Sequence, residues 1–124
     1  MDAAAMEALR DVVATRTRER RTVKYGWEDD GTLSLTVVIG NVSSPVIGVP
    51  SAIVRYVAGR HFSAVTQDES PVGTVVVDEK GTSWGYGPFL RRRGAETGDV
   101  LTIRFDLTSD HAVLTLTDSG DLDD

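Results

Sequence analysis

Cysteine is absent from this chain of 124 residues, which removes disulfide bonds and thiolate metal sites together. Histidine occurs only twice, as His61 and His111. Neither has a nucleophile or carboxylate at a recognisable sequence spacing, so a structural or exposed role is the expectation for both. There is no HExxH, GxSxG or P-loop pattern. Gly85-x-Gly87 fails as a dinucleotide fingerprint because Leu90 occupies the place of the third glycine. The tail Asp118-x-x-Asp121-x-Asp123 offers too few spaced ligands for a calcium loop. No catalytic residue, cofactor or metal is therefore expected. Long apolar runs are also missing, so no membrane-crossing helix is expected. The opening MDAAAMEALRD lacks the basic-then-apolar build of a secretory leader. A soluble cytoplasmic protein is the expectation, and 40% hydrophobic content suffices for one buried core.

The chain carries 13 basic and 19 acidic side chains, a net charge of −6, which argues against indiscriminate binding of polyanions. The charge is unevenly spread. Residues 1–24 hold six basic and four acidic groups, net +2, leaving seven and fifteen, net −8, for the rest. Acid gathers at Glu28-Asp29-Asp30 and in the tail after Thr117, places that read as solvated turns or ends. Basic residues gather from Arg16 to Lys24 and at Arg91-Arg92-Arg93.

Residues 2 to about 17 read as a helix: Asp2 can cap it, and Met6, Leu9 and Val13 recur at spacings of three and four. Arg16, Arg18, Arg20 and Arg21 then suit a helix C-terminus. Val23, Tyr25 and Trp27 alternate, as do Leu33, Leu35, Val37 and Ile39, with Asp30-Gly31 as a hairpin signal between them. Each run is expected to turn its apolar face to a core. Pro45–Val49 reads as a short strand. Pro50 then opens a helical turn over Ser51–Ala58, closed by Gly59. Strands are expected near Phe62–Gln67 and Val72–Asp78. Within 83–105, Gly85-Tyr86-Gly87-Pro88 breaks a strand, Phe89–Arg93 makes a helical turn, Gly94 closes it and Gly98-Asp99 forms a corner. A strand follows over Val100–Phe105 and another over Ala112–Thr117. The turn after Pro50 and the turn after Pro88 echo one another, which would make two related halves of one barrel. The expected fold is mostly β (α+β): a small antiparallel barrel or pseudobarrel with an N-terminal helix and two short helical turns. Its expected divisions are a helix with a basic end (1–20), a single barrel-like domain (21–117) and an acidic tail (118–124).

Pro88-Phe89-Leu90-Arg91-Arg92-Arg93-Gly94, then Gly98-Asp99 and a strand pair, resembles the AbrB/SpoVT family of swapped-hairpin DNA-binding proteins. Trp84, Phe89 and Gly98-Asp99 in this order also look like the end of the B3-type pseudobarrel. With the Pro50 half included, the resemblance covers roughly residues 45–117. It implies a barrel-like fold and a DNA-binding module of a bacterial transcription regulator. The chain departs from the AbrB pattern in its greater length and acidic balance, and its first half lacks the Gly-Asp corner.

On that reading Arg91, Arg92 and Arg93 fan outward from a short helix and contact phosphates or base edges. Trp84 and Tyr86 stack on bases, Arg55 and Arg60 sit in the echoing half, and Arg20, Arg21 and Lys24 add backbone contacts. The bland alternative is that Trp84 and Phe89 are core, Tyr86 caps it and the arginines pair with the chain's acids. A second functional reading is a protein-interaction, self-assembly or antitoxin-like module that uses the N-terminal helix. A third is a small ligand held in the barrel between Trp27 and Trp84.

Overall fold

In the computed structural model, which describes residues 22–43 and 45–117, the Asp30-Gly31 turn joins β1 (Thr22–Trp27) to β2 (Leu33–Val38). The expected N-terminal helix and the acidic tail lie outside the described residues. After β2 the chain forms β3 (Ile47–Gly48), α1 (Ser51–Val57), β4 (His61–Val65), β5 (Pro71–Val77) and β6 (Thr82–Trp84). It continues through α2 (Gly87–Arg93) to β7 (Val100–Asp106) and β8 (His111–Thr117). All eight strands belong to one sheet in the order β1-β2-β7-β8-β4-β5-β6-β3.

The architecture is mostly β and barrel-like, but it departs from the expected antiparallel barrel in two ways. First, β4 and β8 run parallel, Ser63 opposite His111 and Val65 opposite Val113. Hairpins force antiparallel neighbours. These two strands instead belong to separate hairpins, β4–β5 and β7–β8, so no tight turn dictates their relative direction. Second, among the described residues the edge strands β1 and β3 do not pair, so the curled sheet remains a half-barrel. α1 follows β3 directly through Pro50 and reaches back to β1, where the Tyr56 ring meets Trp27 edge-on at 5.1 Å.

The echo noted in the sequence appears in the connectivity. A very short strand (β3 or β6) leads into a seven-residue helix and then a hairpin (β4–β5 or β7–β8), and β3 pairs with β6. Neither helix is long enough to be stable alone; each is held by what it buries. α1 buries Ile53 and Val57, and α2 buries Phe89 and Leu90. These join Leu33, Leu35, Phe62, Val75, Leu101, Ile103, Phe105 and Leu114 in one core, where Phe62 and Phe105 pack with centroids 4.9 Å apart. Each such side chain contributes roughly 1.5–3 kcal/mol relative to exposure.

Two faces differ from their alternation patterns. Ser34 and Thr36, on the polar side of β2, are buried too, and the Thr36 and Thr102 hydroxyls are hydrogen-bonded at 3.1 Å across to β7. Conversely Val23, Tyr25 and Trp27, expected in the core, are 46%, 47% and 53% exposed. Tyr25 and Trp27 lie opposite Leu35 and Leu33, so they do stand on the core face. Their strand is simply an outermost one, and the Tyr56 ring of α1 packs on it at Trp27.

Candidate nucleic-acid interface

The sequence from Ser83 to Asp99 positions the arginine cluster step by step. Ser83 points inward and is fully buried, so Trp84, the next residue in the strand, points outward and is 42% exposed. At Gly85 φ is +107°, and a Cβ there would run into the Thr74 carbonyl of β5. Glycine alone permits this close approach, and the turn it makes ends the strand. Pro88 stands in the first turn of α2, where its missing N–H costs nothing. Gly94, left-handed at φ 65°, ends the helix, with its own N–H bonded to Arg91 O and that of Ala95 to Leu90 O at 2.9 Å. The Gly98-Asp99 corner then ties to the end of β2 through Gly98 N–H to Ile39 O at 2.9 Å and Ile39 N–H to Asp99 O at 2.8 Å.

Phe89 and Leu90 occupy the inward side of α2, so Arg91, Arg92 and Arg93 fall to the solvent side of its last turn, and all three are exposed. The Arg91 guanidinium folds back along the helix: a Cβ on Gly87 would stand 2.9 Å from its Nη1. Among the described residues no carboxylate lies within ion-pair distance of any of the three; the pairs that form are Arg60–Asp110 and, at 4.0 Å, Arg104–Glu28. Several acids are instead turned toward their own backbone. Each of the four hairpin turns uses an aspartate as an acceptor: Asp30 for Thr32 N–H, Asp68 for Ser70 N–H, Asp78 for Lys80 and Thr82 N–H, and Asp106 for Thr108 N–H. Hydrogen bonds from the Thr32, Thr66 and Ser109 side chains are the main reason Asp30, Asp68 and Asp106 are held below the usual carboxylate range. Glu96, the acid nearest the cluster in sequence, makes no ion pair with it among the described residues, and its N–H donates to the Asp99 carboxylate at 2.9 Å.

The other expected site residues divide. Tyr86 is no stacking surface. It is fully buried, its hydroxyl 2.6 Å from that of Ser83, and burial pushes its phenol far up despite that bond. Arg60 is engaged in the fold: it pairs with Asp110, donates to Leu107 O at 2.7 Å and to Tyr56 O at 3.3 Å, and lies over the Phe62 ring. Arg55 is exposed and lies on its neighbour Tyr56, donating to the phenol oxygen at 2.8 Å. Lys24 is exposed on β1, and Arg20 and Arg21 lie outside the described residues. These groups do not converge. Tyr56 touches Trp27, at the end of the sheet where β1 finishes, whereas the chain leaves α2 toward the opposite end, at Ile39. Arg55 and the Arg91–Arg93 cluster therefore sit at opposite ends of the half-barrel, and Trp27 and Trp84 do not face each other across an interior, since Trp84 is on the outer face.

The fold assembles one row that the sequence spacing hid. Across β7, β8 and β4, Asp106 stands opposite His111 and His111 opposite Ser63. These are the residue types of a nucleophilic triad, yet no hydrogen bond links the imidazole to either neighbour. The Asp106 carboxylate is committed to its own turn, and the row lies on an exposed sheet face. It lacks the coupled geometry that activates a serine. Among the described residues no three His, Asp or Glu side chains gather to hold a metal, and no helix is long and apolar enough to cross a membrane.

No family model, curated protein or solved structure matches this chain.

Proposed function

We propose that the domain is a DNA-binding module, of the kind found in transcription regulators, and that Arg91, Arg92 and Arg93 contact the phosphate backbone and adjacent base edges. One observation carries this reading: three consecutive arginines are exposed and, among the described residues, no carboxylate lies within ion-pair distance of them, in a chain whose acids outnumber its bases 19 to 13. Holding three unscreened forks on a rigid helix end is the arrangement that bidentate phosphate contacts use. Trp84, exposed three residues before the same helix, supplies a flat apolar ring for a sugar or an unstacked base. The resemblance of Pro88–Gly94 and Gly98-Asp99 to AbrB- and B3-type domains points the same way. Arg55 and Arg60 have no part in this interface, because one lies at the far end and the other is held by Asp110.

Electrophoretic titration of mixed-sequence duplex at low and at near-physiological salt tests the reading. Retardation at low salt that weakens with added salt is expected, and it should vanish in the Arg91→Ala/Arg92→Ala/Arg93→Ala chain. Equal binding by the triple variant, or none by the parent at low salt, would overturn it.

A further inference from the structure

Among the described residues, four of the five large hydrophobic residues left exposed lie at the open seam of the half-barrel: Val23, Tyr25 and Trp27 on β1, and Val46 directly before β3. The β1 residues are the informative ones. Tyr25 and Trp27 are cross-strand neighbours of Leu35 and Leu33, both fully buried. The core face of the sheet thus continues one strand beyond its described cover, and aromatic surface of this kind is retained where something packs on it. α1 reaches the Trp27 end, through Tyr56.

We infer that the chain's own residues 2–14 cover this strip, laying Met6, Leu9 and Val13 against Tyr25 and Trp27. The segment is joined to the strip itself, since β1 begins at Thr22, so its local concentration is high without any partner. Its length also fits. Residues 2–14 in helical form measure about 20 Å, and the six residues of β1 measure about 20 Å. Residues 15–21 can reach up to roughly 23 Å, enough to reverse the chain along the strand. Met6, Leu9 and Val13 make one narrow apolar stripe, matching a strip one strand wide. A second copy adding to the β1 edge fits less well. The ladder is bulged at Val23, between Thr22 and Lys24, and Lys24 is exposed there, two features that discourage edge-to-edge pairing. This inference is independent of what Arg91–Arg93 bind.

Trp27 reports directly on the cover. In the full-length Trp84→Phe chain it is the sole tryptophan, and acrylamide quenching of its emission measures access to it. Shielding beyond that of a half-exposed ring is expected, with blue-shifted emission that does not change on dilution. In Met6→Glu/Leu9→Glu/Val13→Glu, and more mildly in Leu9→Glu alone, quenching should rise several-fold and the emission should shift to the red. Equal quenching in the parent and the Leu9→Glu chain overturns the inference. So does shielding that disappears on dilution together with a halving of mass by light scattering, which would assign the strip to a second copy.

Discussion

At the scale of single residues, the hydroxyls of Tyr86 and Ser83 form the one polar pair wholly inside the described core, 2.6 Å apart with both side chains fully buried. Each is satisfied only by the other. Tyr86→Phe leaves the Ser83 hydroxyl without a partner and is expected to cost about 1–3 kcal/mol in urea unfolding. Adding Ser83→Ala should recover part of that loss, giving a double-mutant cycle with a clear coupling energy. If the two single variants add without coupling, the pair is not what holds Tyr86 in place. This residue also shows where sequence reasoning stops. Trp84 and Tyr86 share a parity, so alternation puts them on one face. Gly85, at φ +107°, breaks the alternation and sends one ring outward and the next inward. A glycine's sign of φ is not written in the residue itself; it follows from the Thr74 backbone lying against it.

At the scale of elements, turns carry much of the acid. Asp30, Asp68 and Asp106 sit below the usual 3.8 because turn hydroxyls and amides bond their charged forms. A carboxyl whose folded pKa is depressed stabilises the fold above its unfolded value, and that contribution is lost as pH falls through the folded value. The stability they supply is therefore full near neutrality and declines below about pH 4. The Asp30→Asn/Asp68→Asn/Asp106→Asn chain keeps a turn acceptor but no titrating charge. Its thermal midpoint should depend less on pH in that acid range, and a parallel decline in both chains would contradict the account. Arg60 acts at the same scale, fastening the end of α1 to the turn between β7 and β8. Arg60→Ala should lower stability by about 1–3 kcal/mol, since it removes hydrogen bonds to a charged group, yet leave DNA affinity unchanged once folding is complete. A drop in affinity at temperatures where the variant is folded would return Arg60 to the interface. Elements were the most legible level. Asp30-Gly31, Pro50 with Gly59, and Pro88 with Gly94 mark turns and helix ends by local stereochemistry, and the structure has them there. The role of Arg60 in the fold is not legible in the sequence, because its partners, Leu107 and Asp110, are about fifty positions away in the chain, beyond any local pattern.

At the scale of the whole molecule, the described sheet curls without closing, and the two described helices occupy opposite ends. That arrangement separates Arg55 from Arg91–Arg93 and leaves the core face of β1 about half exposed among the described residues. Neither consequence could be read from periodicity. Period-two alternation identifies a buried face, but it does not say which strand is last in the sheet, and β1 is the outermost one here. The parallel β4–β8 pair is likewise a long-range choice. Overall charge misleads in a related way: −6 is a sum over the chain, whereas binding depends on which charges are paired, and the aspartates of the hairpin turns are spent on backbone amides. The proposed function stands or falls on whether Arg91, Arg92 and Arg93 meet phosphates. The most direct measurement is the slope of log affinity against log salt for a labelled duplex, parent against Arg91→Ala/Arg92→Ala/Arg93→Ala. Each phosphate contact contributes roughly 0.9 to that slope, so the triple variant should be shallower by about 2–3. Identical slopes in the two chains would contradict it.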